Sequence, residues 1–212
     1  MQTYLECIPC FTRQALEAVR MVTEDARLHE RVMREVLLAL ADMRFDDSPP
    51  AMGRTIHRTI RRATGNPDPY RAIKDESNRI ALAMLPELRR CVETAADPFA
   101  LALRLSITAN VIDFGVRSDV DLDEVAGELK QAGNIPLDPY EVETLRHAVA
   151  AADEILFIAD NAGEIVIDRQ LLEQIRCDRI AVAVRGGPAI NDATRADAEA
   201  AGIAGIAEII ET

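Results

Sequence analysis

The chain of 212 residues contains no tryptophan, and aromatic residues make up only 4 % of it. A core without large rings must be assembled from Ala, Leu, Ile and Val, as in helix packings and parallel sheets. Apolar runs of about 18 residues or more are absent, so no membrane-spanning helix is expected. Positive charge is in the minority: 24 Lys and Arg stand against 36 Asp and Glu, a net charge of -12. Such a surface repels nucleic-acid backbone and anionic lipid, and neither is expected as a partner. A small anionic substrate stays compatible with it, because a metal ion and a few Arg residues reverse the sign locally.

Cysteine and histidine are also scarce, with 4 and 3 residues. Cys7 and Cys10 form a single Cys-x-x-Cys. Cys91, Cys177, His29, His57 and His147 supply no second pair, and a zinc ribbon needs about four ligands. The pair opens a helical pattern instead of following a strand, unlike a thioredoxin-type motif. Structural thiols and a metal or redox pair both remain open for it. The amino terminus, MQTYLECIPC, lacks the charged-then-apolar order of a signal peptide. The expected location is the reducing cytoplasm, where thiols prevail over disulfides.

What the chain does have is a globular composition, 49 % apolar and 28 % charged, and enough length to bury a core. Its front half carries apolar residues at helical spacing. The pattern predicts helices over residues 8–24, 28–43, 51–63, 70–94, about 97–110 or 114, 121–133 and 139–152. Pro86 is expected to kink or split the long fourth helix. Asp97-Pro98 reads as an N-cap followed by proline at the first helical position. The basic run from Arg54 to Arg62, with His57, reads as a solvated helix face.

After residue 152 the pattern alternates. Strands are expected over residues 155–159 and 179–184, with a third within 203–210. Helices over 165–175 and 193–201 separate them. Strand, helix, strand, helix, strand predicts a parallel sheet with crossover helices. The expected fold class is therefore α/β: a helical domain over residues 1–152, then a three-layer α/β/α Rossmann-like lobe over 153–212. Three strands are few for such a lobe, since sheets commonly hold about 4 to 6. The lobe thus reads as incomplete.

The chemistry concentrates at the ends of the first two strands. Glu154-Ile-Leu-Phe-Ile-Ala-Asp160-Asn161-Ala-Gly163-Glu164 is an apolar strand that stops in acid and amide before a turn. The second strand is followed by Arg185-Gly-Gly-Pro-Ala-Ile-Asn191-Asp192-Ala-Thr194. Ligands of open α/β sheets bind at the carboxyl ends of strands. Adjacent strands lie about 4.8 Å apart, so the two acid–amide pairs can converge on one ion. Carboxylate and amide oxygens suit Mg²⁺ or Mn²⁺ better than Zn²⁺. Taken alone, Asn191-Asp192 reads equally well as the cap of a helix beginning at Ala193. Arg185 is a candidate for phosphate charge and reads nearly as well as a surface Arg. No Gly-x-Gly-x-x-Gly follows either strand, which disfavours a dinucleotide site.

These motifs resemble the two hallmarks of the DUF89 family, the damage-control phosphatases with the ARMT1-like metal-binding domain. Cys7-Ile-Pro-Cys10 with Gln14, Asp68-Pro-Tyr70 with Lys74 and Asn78, and Asn110-Val-Ile-Asp113-Phe-Gly115 resemble further family elements in the same order. The resemblance implies a metal-dependent phosphatase acting on phosphate esters of sugars and related, including damaged, metabolites, with Mn²⁺, Co²⁺, Ni²⁺ or Mg²⁺. It implies that Asp160, Asn161 and Asp192 hold the metal, which activates a water. Asp160 and Glu164 are the expected catalytic residues; Asn110, Asp113, Arg185 and Asn191 are expected at the substrate. The Lys-Gly-x-Gly-Asn-x-Glu segment of longer members has no counterpart in these 212 residues. The alternative expectation is therefore a non-catalytic, truncated paralogue that keeps metal or ligand binding. No feature of the sequence sets an oligomeric state.

Overall fold

The apolar spacing of the front half becomes helix nearly where the pattern places it. A computed structural model describes residues 2–111, 127, 131 and 134–212. Among these, six helices precede the sheet: α1 Cys7–Val22, α2 Ala26–Ala41, α3 Pro49–Thr64, α4 Arg71–Thr94, α5 Pro98–Val111 and α6 Pro139–Ala151. Local chemistry sets several ends. Pro49 and Pro50 fill the first turn of α3, where an N–H has no helical partner anyway. Gly65 closes α3 in the left-handed region at φ 68°. The Asp97 carboxylate accepts from the Ala100 N–H at 3.0 Å, and Pro98 begins α5 as expected. The acidic helix expected over residues 121–133 falls almost wholly outside the described residues, as does Asp113.

The break expected at Pro86 does not divide α4, which is one helix from Arg71 to Thr94. Ile80 and Ala81 before the proline and Leu88 and Val92 after it are buried in one core. That shared packing carries the helix past the single hydrogen bond that proline removes.

Packing divides the chain into two compact units, Met1–Arg71 with Pro188–Ile190, and Ala72–Gly187 with Asn191–Thr212. In the first, α1, α2 and α3 bury Phe11, Ala15, Val19, Val32, Val36, Ile56 and Ile60 against one another. His57 is not on a solvated face: it is buried, and its Nδ1 lies 2.6 Å from the Tyr70 hydroxyl. Burial first, and the charge of Arg61 second, push its pKa down to about 4. Arg54, Arg58 and Arg62 of the basic run are exposed as expected, Arg62 pairing with Glu35, while Arg61 donates to the Pro188 carbonyl. Cys7 and Cys10 stand in the first turn of α1 as free thiols.

The second unit holds α4 from Ala72, α5, α6 and the sheet. Strands β1 Ile155–Ile158, β2 Ile180–Val184 and β3 Glu208–Glu211 run parallel in the order β1-β2-β3. The register places Phe157, Val182 and Ile209 side by side on the core face. The region expected to hold the third strand divides into a 3₁₀ turn, Ile203–Gly205, and β3. On the opposite face Leu156 and Ile158 stay 59 % and 76 % exposed.

Helices α7 Glu164–Leu172 and α8 Arg195–Ala200 follow β1 and β2. The alanines of α5 (Ala100, Ala102, Ala109) are buried and let it lie along α7. Helix α7 is consequently covered on every side: Glu164 through Asp168, Gln170, Leu171 and Leu172 are all buried. This is why packing groups α4–α6 with the sheet, although the sequence pattern changes only at 152/153. Among the described residues no helix is long and apolar enough to cross a membrane.

Ile167 lies at the centre of this packing with no exposed surface. Ile167→Ala is expected to lower the unfolding free energy by about 2–5 kcal/mol, read from the midpoint shift in urea denaturation.

Candidate metal centre

A strand ending in Asp-Asn-Ala-Gly must turn at once, and Gly163 supplies the turn with φ 82°. Its N–H donates to the Asn78 side-chain oxygen at 2.8 Å, and α7 begins with the next residue. The second loop approaches through Ile190, a β-branched residue at φ 44°. Such a conformation costs about 1–3 kcal/mol and has to be held by its surroundings.

The two loops are stitched together by main-chain bonds. The Ala193 N–H donates to the Asp160 carbonyl at 2.7 Å, and the Ala162 N–H donates to the Asn191 carbonyl at 2.8 Å. Asn161 and Asp192 thereby face each other as an isolated antiparallel bridge. The second acid is not a helix cap. Helix α8 starts at Arg195 with Thr194 as its N-cap, and Asp197 accepts from the Thr194 N–H at 2.9 Å. With capping assigned to Thr194 and Asp197, Asp192 is available for another purpose.

Its carboxylate is held by the Nε–H of Arg185 at 2.6 Å. Arg185, expected at a phosphate, is thus bonded to a proposed metal ligand. Asn110 reaches the site from the end of α5. Its amide N–H donates to both Glu164 oxygens at 3.1 Å and to Asp160 Oδ2 at 3.4 Å. The Asn161 amide N–H also donates to Glu164, at 3.2 Å, which turns its amide oxygen to the other side. Asp160, Asn161, Glu164, Asp192 and Asn110 are therefore brought together. Asn191 joins them through its carbonyl.

Negative charge accumulates here. Burial raises the pKa of Glu164, against the lowering effect of its bonds to Asn110 and Asn161, and the charge of Asp160 raises it further. Burial likewise raises Asp192, against its bond to Arg185; Asp160 adds to the rise and Lys74 opposes it. Asp168, one turn beyond Glu164 on α7, is pushed up to about 8, by burial first. Its carboxylate accepts from the Ser106 hydroxyl at 2.6 Å, and the charges of Glu164 and Asp160 raise it.

A divalent cation would remove this mutual repulsion. Among the described residues no three His, Cys, Asp or Glu side chains form a ready ligand cage. Two carboxylates and an amide oxygen make an incomplete oxygen set, which suits a hard cation that keeps water or substrate in its remaining positions. The residues present fit such an ion.

Residues 3–212 match the Damage-control phosphatase ARMT1-like domain. The chain belongs to that family. Among its relatives, an uncharacterised protein of Methanocaldococcus jannaschii, MJ0202, is 35 % identical, over 98 % of this chain and 70 % of its own. A damage-control phosphatase of Archaeoglobus fulgidus is 31 % identical, over 97 % of this chain and 72 % of its own. The damage-control phosphatase PH1575 of Pyrococcus horikoshii is 32 % identical, over all of this chain and 74 % of its own. The crystal structure of that DUF89 protein superposes with a TM-score of 0.88 at 29 % identity, covering all of this chain and 74 % of the other.

Two acids of this family member's site region escape the reading of strand-end motifs. Asp168 was announced only by its spacing, four residues after Glu164 in an apolar helix. Asp197 was announced by Thr194-x-x-Asp197, a capping-box pattern.

The folded Asp168 binds its proton more tightly than the unfolded chain, whose value lies near 3.8. Between about pH 4 and pH 8 the folded state carries the extra proton, so stability falls as pH rises through that window. Asp168→Asn keeps an acceptor for Ser106 and removes this contribution. In chelator, its melting temperature should exceed that of the wild type at pH 8, and the difference should narrow toward pH 5.

Proposed function

We propose that this chain is a metal-dependent phosphatase that hydrolyses phosphate esters of sugars or related, including damaged, metabolites in the cytoplasm. The observation that supports the reading is the stitching of the two strand-end loops, which makes main-chain neighbours of Asn161 and Asp192 with Asp160 beside them. Membership of a family with relatives named damage-control phosphatases supports the reaction class. Asp160, Asn161 and Asp192 would hold the ion, Mn²⁺, Co²⁺, Ni²⁺ or Mg²⁺. Such an ion, when bound, polarises a phosphoryl oxygen and makes water more acidic.

The chain's own residues supply the rest. Glu164 acts as general base: a water oxygen attacks phosphorus as a Glu164 carboxylate oxygen accepts the water's proton, the ester P–O bond breaks with its electron pair on the alcohol oxygen, and that oxygen takes a proton from solvent as the alcohol leaves. Burial keeps the Glu164 pKa raised, which brings it closer to the working pH that suits this task. Asn110 donates to both of its oxygens and fixes the plane of the carboxylate. Arg185 holds Asp192 through Nε while its side chain stays 56 % exposed, which lets it also meet a phosphate oxygen. Asn191 and Asp113, the latter outside the described residues, complete the substrate contacts.

Asp160→Ala is expected to abolish Mn²⁺ retention on dialysis. It should also cut Mn²⁺-dependent hydrolysis of p-nitrophenyl phosphate by about two orders of magnitude or more, since a catalytic metal is worth several kcal/mol. Unchanged metal content in the variant would reject the ligand assignment. Metal retention without turnover by the wild type would favour a binding protein over an enzyme.

A further inference from the structure

Three buried polar side chains of the second unit connect to the two strand-end loops. Lys74 and Asp197 have no exposed surface, and Asn78 keeps only 3 % of its own. Burial of such groups is tolerated when each is bonded, and their bonds lead to the two loops. The Asn78 side-chain oxygen accepts from the Gly163 N–H at 2.8 Å, and its amide N–H donates to Asp197 Oδ1 at 2.9 Å. Asp197 Oδ2 accepts from the Thr194 N–H at 2.9 Å and from the Thr194 hydroxyl at 2.5 Å. Lys74 Nζ lies 3.5 Å from the same oxygen and balances its charge.

Gly163 stands two residues beyond Asn161, and Thr194 two residues beyond Asp192. One side chain on α4 thus reaches the first loop directly and the second through Asp197. Its orientation is fixed by chemistry: a main-chain N–H can only donate, and an ionised carboxylate can only accept. A carboxylate at position 78 would satisfy the first partner and repel the second.

We propose that Asn78, acting with Asp197, is a positioning residue of the metal centre that sets the spacing of Asp160 and Asn161 against Asp192. The inference rests on the metal reading given above for its consequence, and on the hydrogen bonds alone for its geometry. Residues that orient metal ligands typically change affinity by about 10–100-fold when removed.

The test titrates Mn²⁺ alone into the full chain by calorimetry and follows amide hydrogen exchange at Gly163 and Thr194. The variants are Asn78→Asp and Asn78→Ser. Leu88→Ala, a destabilising cavity on the same helix, is the control for lost stability. Both Asn78 variants should weaken Mn²⁺ binding about 10-fold or more; Asn78→Ser should speed exchange at Gly163 and Asn78→Asp, which keeps the Gly163 acceptor but repels Asp197, at Thr194, while Leu88→Ala lowers the melting temperature and leaves Mn²⁺ affinity within about twofold. Equal Mn²⁺ affinity in wild type and Asn78 variants would overturn the proposal. Should neither variant fold, exchange in the wild type decides it: a Gly163 amide no better protected than an exposed loop amide overturns the clamp. A wild type that binds no Mn²⁺ would instead reject the metal reading, leaving the exchange result to judge the geometry.

Discussion

Two main-chain hydrogen bonds, Ala193 N–H to the Asp160 carbonyl and Ala162 N–H to the Asn191 carbonyl, hold the site region together. Parallel strands bring their carboxyl ends to the same edge of a sheet but leave the following loops free to diverge. Here the loop after β1 and the loop after β2 pair with each other before either enters its helix. The pairing makes neighbours of Asn161 and Asp192. It also commits the backbone: Gly163 takes a conformation open to glycine, and Ile190 takes one that a β-branched residue rarely adopts. Strain of this kind persists only where the surroundings over-determine the conformation.

Gly163 leads directly into helix α7, which is buried along most of its length. Because α5, with its small side chains, lies along α7, the latter carries polar groups into the interior. Each finds a partner: Glu164 is bonded by Asn110 and Asn161, Asp168 by Ser106, and Gln170 donates to Glu173. The partners satisfy hydrogen bonds without neutralising charge. Asp160 therefore adds to the raised pKa of Glu164, Asp168 and Asp192 alike. Crowded carboxylates with amide donors between them are stable only when some are protonated or a cation is present. That electrostatic condition, more than any single residue, relates the fold to the proposed metal-assisted phosphate chemistry.

Much of this was legible beforehand. The apolar run ending in Asp160-Asn161 read as a buried strand with hydrogen-bonding side chains at its end; it is a strand, but only one of its faces is covered, with Leu156 and Ile158 exposed on the other. Asp97-Pro98 read correctly as a helix start. Other readings failed for tertiary reasons. Pro86 leaves α4 undivided because both halves face one core. His57 sits in a basic run yet is buried against Tyr70, since one face of α3 belongs to a helix packing whatever the charge of its neighbours. The ambiguity of Asn191-Asp192 was resolved by Thr194, whose cap freed the acid two residues earlier. Asn78 gave no local sign of its contacts, because its partners lie 85 and 119 residues further along the chain.

By itself the sequence determined the helical front, the alternating back, and the type of donor at each strand end, because periodicity and residue chemistry are local properties. The tertiary structure alone decided which donors meet. It joined the loops through main-chain bonds, tied the exposed Arg185 to Asp192, and bonded Asn78 and Asp197 to the two loops. Those outcomes depend on contacts between segments distant in the chain, whose pairing is settled by the burial of α7 and of the sheet's core face and not by the residues adjacent in sequence.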